Sequence, residues 1–399
     1  MYAHLATSKR FILVLGLLTG LVAFAIDISL PSIPPMVTDL ATTIARGQQV
    51  VGAFMAGLAL GQMPAGLLSD RYGRIPVLYT GIAIFALTGV VTTIAPDIET
   101  MLVARFVQGI GAASGLVLAR AIVRDVASGT QAARMMTALV MIFTAAPMLA
   151  PMFGSFLTTQ LGWRAPYLAV TVVAVALLYG INAVLEETNP DGRKDQLSEQ
   201  FATSIRSFFS RAQCVFGVLV VLSTMIGIMA IVSGSPGLIV DVYGYPVGSF
   251  GYIFALTGVA ILCGSYLNRR LLQRFSPQQA LGLGAALCLA CGAQLAWFLA
   301  SAETNFWWLW ANACLFMGAT GFIMPNATAI ALEPVPHIAG VAASIIGTIQ
   351  SIAGAVSAIV CAALYDGTFE NVALVLCVST ALIVVLIALR PAAAVSPAR

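Results

Sequence analysis

Residues 11–33 read FILVLGLLTGLVAFAIDISLPSI. Twenty-three residues pass with a single charged side chain, Asp27. A half-buried strand alternates apolar with polar residues, and a water-facing helix carries a polar stripe. This segment does neither. It is long enough to cross a hydrocarbon layer as a helix, which takes about 20 mainly apolar residues. Lys9 and Arg10 precede it, so it could pass for a signal peptide. Asp27 within the run, Pro31 and Pro34 near its end and further runs downstream argue for a retained first helix.

The whole chain has the same character. Of 399 residues, 60 % are apolar and 9 % are charged, where soluble proteins are about 25 % charged. This excludes an ordinary cytosolic enzyme, a disordered chain and a nucleic-acid binder. Twelve spans are expected, at about 11–33, 48–69, 76–95, 100–123, 133–157, 165–185, 213–237, 248–268, 279–300, 306–330, 338–363 and 369–389. The expected fold class is an all-α integral membrane protein. All seven cysteines lie in apolar stretches of the second half. The Cys288-x-x-Cys291 pair has no His or carboxylate beside it, so packing is the simplest reading and no metal or cofactor is expected.

Residues 186–212 break the pattern. They hold Glu186, Glu187, Asp191, Arg193, Lys194, Asp195, Glu199, Arg206 and Arg211, nine of the chain's 35 charges. We read a linker between two six-helix halves, residues 1–185 and 213–399. The halves echo each other: Gly66-Leu67-Leu68-Ser69-Asp70-Arg71 ends span 2, and Gly264-Ser265-Tyr266-Leu267-Asn268-Arg269 ends span 8. Such a repeat fits a transporter whose site lies between its halves. Lys9, Arg10, Arg71, Arg74, Arg124, Arg134, Arg193, Lys194, Arg206, Arg211, Arg269, Arg270, Arg274, Arg390 and Arg399 fall on the side of the termini and linker. Only Arg46 and Arg164 fall in loops of the other side. The excess of Lys and Arg predicts that both termini are cytoplasmic.

Intramembrane charge is expensive, so each instance is a functional candidate. The other carboxylates fall at span ends or in loops, and His4 and His337 lie on the linker side. Asp27 is the candidate proton carrier, because removal from water disfavours the charged form. The alternative is a permanently paired structural Asp. Arg105, at comparable depth on span 4, is its natural partner; otherwise it snorkels. Span 5 carries Pro147, Pro151 and Gly154, the makings of a deformable helix at the interface of the halves or of a tolerated kink. Met55, Met141, Met225 and Met229 belong to a methionine-rich set suited to a cavity for varied apolar ligands, or to plain filler. Gln108, Asn312, Asn326 and Gln350 are polar residues on apolar spans and candidate cavity contacts. Trp307, Trp308 and Trp310 read as an interfacial belt. No P-loop is present, and Gly109, Gly111 and Gly115 lie on a span as packing glycines.

Gly66-Leu67-Leu68-Ser69-Asp70-Arg71-Tyr72-Gly73-Arg74 resembles the helix 2–3 signature of the major facilitator superfamily. Arg105-Phe106-Val107-Gln108-Gly109-Ile110-Gly111 resembles the helix 4 motif of its proton-coupled exporters, and Asp27-Ile28-Ser29-Leu30-Pro31-Ser32-Ile33-Pro34 the helix 1 motif of twelve-helix drug/proton antiporters. Gly321-Phe322-Ile323-Met324-Pro325-Asn326, Ala339-Gly340-Val341-Ala342-Ala343-Ser344 and Gly162-Trp163-Arg164 are similar to the Bcr/CflA-type subfamily. On helix 5, Ala146-Pro147, Ala150-Pro151 and Gly154-Ser155 stand where the antiporter motif has more glycine.

The resemblance implies two pseudo-symmetric six-helix bundles rocking about a central cavity in the bacterial inner membrane. It implies export of small, mostly apolar drugs against protons, by a monomer. Asp70 would sit at the N-terminus of helix 11, and Arg74 would reach Asp125. With Gly66, Arg71 and Gly73 these form a conformational latch. A dedicated exporter of one metabolite or siderophore and an uptake symporter share the fold. A membrane-embedded enzyme would need a nucleophile, base or metal cluster that the spans lack.

Overall fold

The computed structural model describes residues 8–189, 197–301 and 305–390. His4, Asp191, Arg193, Lys194, Asp195, Glu303 and Arg399 lie outside the described residues, as do the side chains of Glu199 and His337. All regular structure among the described residues is helical. Twelve helices are long and apolar enough to span a membrane: α1 Lys9–Asp39, α2 Ile44–Tyr72, α3 Arg74–Ile94, α4 Ile98–Val126, α5 Gly129–Leu161, α6 Ala165–Val184, α7 Ala212–Val242, α8 Val247–Leu271, α9 Pro277–Ser301, α10 Phe306–Leu332, α11 Ala339–Leu364 and α12 Glu370–Ala388. Each expected span coincides with one of them. Polar side chains cap the starts of several of these helices. The Thr43 hydroxyl accepts from Arg46 N–H, Asp97 from Thr100 N–H and Asn305 from Trp307 and Trp308 N–H.

The helices form two six-helix bundles. In the first, α2 and α3 pack on α4, α3 on α6, and α1 on α4, α5 and α6. In the second, α8 and α9 pack on α10, and α7 on α10, α11 and α12. Two seams join them, α2 with α11 and α5 with α8. Small residues set the distances: Gly109 of α4 lies against the Phe54 backbone of α2, and Gly251 of α8 against Pro151 and Met152 of α5.

Three details differ from the sequence reading. Span 1 is broken: α-helix ends at Asp27, a 3₁₀ turn covers Leu30–Ser32, and helix resumes at Ile33–Asp39. Pro31 lacks the N–H that a continuous helix needs. The linker contains a helix of its own, Leu197–Phe209. Finally, Trp307 and Trp308 are exposed, as a belt requires, but Trp310 is buried and donates its indole N–H to the Ile253 carbonyl at 2.9 Å. One helical turn past Phe306 it faces the core, where the two rings stack at 5.8 Å.

The start of α1 and the end of α12 lie on the side of the linker, the linker side. Toward the opposite side the bundles are shut. Ser155 of α5 accepts from Gly251 N–H of α8 at 2.8 Å, and Gly52 of α2 lies against Ala358 and Ile359 of α11. On the linker side the same face of α5 is uncovered. Met141, two turns below Met148, is 68 % exposed, whereas Met148 meets Gly258 of α8.

Candidate functional site

Asp27 ends the first segment of α1, and the break that follows packs against α5. The Ile28 carbonyl lies where a Cβ on Gly154 would be. The Ser32 and Thr158 hydroxyls share a hydrogen bond at 2.9 Å. Gly154 therefore brings α5 against the residue following the acid, and the next face of α5 meets α8. Asp27 is the only buried carboxylate and Arg105 the only buried cation among the described residues.

The expected Asp27–Arg105 ion pair is absent from this conformation. Arg105 donates through Nη2 to the Ala25 carbonyl at 3.2 Å and through Nη1 to Gln108 Oε1 at 2.9 Å. Its guanidinium carbon lies 4.4 Å from the Phe54 ring centroid and 5.7 Å from that of Tyr167. It thus sits on the carbonyl end of a helix segment, where the backbone dipoles favour a cation, two residues from Asp27. Among the described residues the Asp27 carboxylate has neither an ion-pair nor a hydrogen-bond partner.

Three of the methionines meet at the α2–α7–α11 junction. A methyl placed on Gly354 of α11 would lie 2.5 Å from Met55 Cε, 3.0 Å from Met229 Cγ and 3.7 Å from Met225 Cγ. Met55 comes from the first bundle and the other two from the second, so the cluster straddles the seam. Gln350, one turn before Gly354, is half-buried.

Gln108 and Asn326, expected as cavity contacts, are hydrogen-bonded within single bundles in this conformation. Gln108 is 1 % exposed, accepting from Arg105 and donating to the Phe85 carbonyl at 3.4 Å. Asn326 donates to Asn268 at 2.8 Å and to the Phe322 carbonyl at 2.7 Å. Asn312 donates to the Cys291 carbonyl and to Gln294. A lone amide on an apolar helix is satisfied most simply by the nearest helix of its own bundle. Asn268, the counterpart of Asp70, is part of this packing.

On the linker side Arg74 joins three elements. It reaches Asp70 at 2.5 Å and Asp125 at 2.9 Å and donates to Ser69 at 2.8 Å. Arg71 lies over the Tyr72 ring, and the Gly66 carbonyl accepts from Ser69. The expected Arg74–Asp125 contact is present. Asp70 bonds Arg74, while the residue that meets the start of α11, at Gly340, is Arg124.

The linker takes part in a way the sequence did not announce. Glu187 accepts from Arg74 N–H at 2.8 Å and Ile75 N–H at 2.9 Å, capping α3. Thr188 donates to Asp125, and Asn189 to the Asp70 carbonyl. Gly73 turns the chain between α2 and α3 at φ +96°, with a Glu187 oxygen 2.6 Å from where a Cβ would stand. Only glycine suits both demands. Gln62 was also missed: it crosses the α2–α11 seam, donating to Ser351 at 2.6 Å. The rule that singled out Gln108, a lone amide on an apolar span, applied to it equally.

Two six-helix bundles, an uncovered face on one side and a buried, unpaired carboxylate near the seam define a membrane transporter rather than an enzyme. The chain belongs to the Major Facilitator Superfamily, whose sequence profile matches residues 15–358. It is 30 % identical over 352 residues to multidrug resistance protein D of Escherichia coli, covering 88 % of this chain and 87 % of that one. It is 29 % identical over 351 residues to a bicyclomycin resistance protein homolog of Haemophilus influenzae, covering 87 % of each. The motif resemblance to Bcr/CflA-type members is borne out. A D-xylose–proton symporter has the same fold, with a TM-score of 0.72 at 16 % identity over 96 % of this chain and 97 % of that one. An inward-facing bacterial homolog of the lysosomal transporter Spinster also gives 0.72 at 16 % identity, over 96 % of both.

Proposed function

We propose that this transporter exports small, mostly apolar drugs from the cytoplasm by alternating access, in exchange for protons. The observation that carries the reading is Asp27, buried and unpartnered, at the broken point of α1. Burying an unpaired charge is costly, and wetting relieves that cost. Rocking of the bundles, residues 1–185 and 213–399 on the tether 186–212, alternately wets and seals it. Arg105, two residues away on the Ala25 carbonyl, is positioned to answer the charge left behind. The Pro147, Pro151 and Gly154 helix lies between the acid and the other bundle and transmits the change.

Met55, Met225 and Met229 form an adaptable apolar wall for the substrate, with Gln350 and the uncovered Met141 nearer the linker side. The names of the bicyclomycin and multidrug resistance relatives support a drug as cargo. Asp70, Arg74 and Asp125 take no part in the proton step; they latch the linker-side end of the first bundle. The termini face the cytoplasm, and the protein works in the bacterial inner membrane as a monomer. The charge asymmetry supports that orientation: the two opposite-side arginines, Arg46 and Arg164, are ion-paired with Glu99 and Asp39. One proton crossing about 100 mV supplies about 2.3 kcal/mol, enough for roughly a fifty-fold gradient of a neutral drug.

Reconstituted vesicles test this. Wild type should concentrate a drug when a proton gradient is imposed. Asp27→Asn should lose gradient-driven movement yet still exchange labelled for unlabelled drug. Gradient-driven transport by well-folded Asp27→Asn would overturn the assignment.

A further inference from the structure

On the linker side, the start of α7, the end of α12 and the end of the linker helix leave an open groove of about 390 Å³. Its apolar lining includes Phe209, Val215, Phe216, Leu219, Leu386 and Leu389. Phe209 ends the linker helix, Val215, Phe216 and Leu219 lie near the start of α7, and Leu386 and Leu389 lie at the end of α12, so the groove begins where the spans leave the hydrocarbon and runs into it. Phe208, fully buried, anchors the linker helix, and its neighbour Phe209 turns an exposed ring to the groove. No carboxylate lines it.

Three exposed arginines adjoin the lining in sequence. Arg211 lies between Ser210 and Ala212, both lining residues, and Arg390 follows Leu389. Arg206 stands one turn before Phe209. All three are exposed, and none makes an ion pair among the described residues. The opposite side differs, since Arg46 and Arg164 there are both paired. An apolar trough that enters the membrane beneath unpaired guanidinium groups matches one chemistry: an acyl chain below a phosphate.

We propose that this groove is a binding site for an anionic glycerophospholipid, its chain along Val215, Leu219 and Leu386 and its phosphate on Arg211 and Arg390. The lipid bridges the linker helix to α7 and α12 and so fixes the linker's exit to the second bundle. This is independent of the transported substrate and of the proton step.

The test is native mass spectrometry of the full chain in detergent, titrated with phosphatidylglycerol or with phosphatidylcholine of the same acyl chains. Wild type should bind phosphatidylglycerol about tenfold more tightly, because the two unpaired arginines meet a headgroup of net negative charge, whereas choline neutralises the phosphate of phosphatidylcholine. The double variant Arg211→Gln/Arg390→Gln should lose that preference and keep its phosphatidylcholine binding. Val215→Trp, which fills the groove and leaves the rim, should weaken both lipids. Equal binding of the two lipids by wild type would overturn the proposal, as would a preference that survives the double variant or binding unchanged by Val215→Trp. Glycerol phosphate displacing phosphatidylglycerol as well as the lipid itself would show a bare anion site and overturn it too. Phospholipid binding that arises only after residues 391–399 are deleted would overturn it by showing that the chain's own end is the occupant.

Discussion

Gly251→Ala separates the closing of the opposite side from the folding of either bundle. Gly251 of α8 packs on the backbone of α5. A Cβ there would lie 2.6 Å from Met152 Cα, 2.6 Å from the Pro151 carbonyl oxygen and 2.9 Å from Met152 N. Carbon atoms in ordinary contact are about 3.5–4.0 Å apart. The atoms met are backbone, so no side chain can swing aside. Within α8 the change is favourable, because alanine is a better helix former than glycine by about 1 kcal/mol. The cost therefore falls on the contact between bundles, at about 1–3 kcal/mol for an overpacked site. With tenfold per 1.4 kcal/mol, the balance should move roughly 5- to 150-fold toward the conformation open on the opposite side. Spin labels at Ile94 of α3 and Trp297 of α9, in a cysteine-free background, report on it. These positions are 69 % and 58 % exposed near the opposite-side ends of the two bundles. Electron–electron resonance should show a larger long-distance population for Gly251→Ala. An unchanged distribution in a normally folded variant would refute the claim that this seam closes the opposite side.

Other outcomes follow from the same contacts. Met225→Ala should weaken calorimetric binding of apolar drugs about fivefold, since Met225 is half-buried and full burial of a methionine contributes about 1.5–3 kcal/mol, and leave the proton step intact; unchanged affinity would remove the methionine wall from the substrate site. Glu187→Ala should lower stability by about 1 kcal/mol through loss of the α3 cap, read as a lower midpoint of thermal unfolding; an unchanged midpoint would show that the linker contact is idle. Burial, with the Asp241 carboxylate beside it, holds the Tyr365 hydroxyl above the ordinary phenol range. A raised value in the folded state keeps the contact fully in place below the ordinary phenol pKa of about 10, and it is lost only above that. The destabilisation caused by Tyr365→Phe should therefore be constant from about pH 6 to 9; a penalty that fades within that window would contradict it.

The twelve spans were legible because a membrane demands one unambiguous thing, a long apolar run, and each run is bounded by caps or charges. The helix ends were less legible, since α5 and α7 continue as helix beyond the hydrocarbon, where hydropathy says nothing. The break in α1 was written in Pro31, but a proline within a run does not state where the chain turns. Trp310 was misread because three tryptophans in four residues cannot all face one way on a helix. Asp27 and Arg105 were found because buried charge is rare. That Arg105 would choose the Ala25 carbonyl over the carboxylate depends on tertiary geometry that no spacing encodes. Gln108 and Asn326 show the same limit: the sequence marks a polar residue on a span, not which way it faces. Glu187 sits in a charged linker and carried no local sign of the distant helix start it caps.

The measurement that bears most directly on the central claim is proton release from the detergent-purified protein when drug is added. Wild type should release protons into weakly buffered solution on binding a cationic or neutral drug, and Asp27→Asn should bind the drug and release none. Equal release from both proteins would place the proton elsewhere and contradict the account.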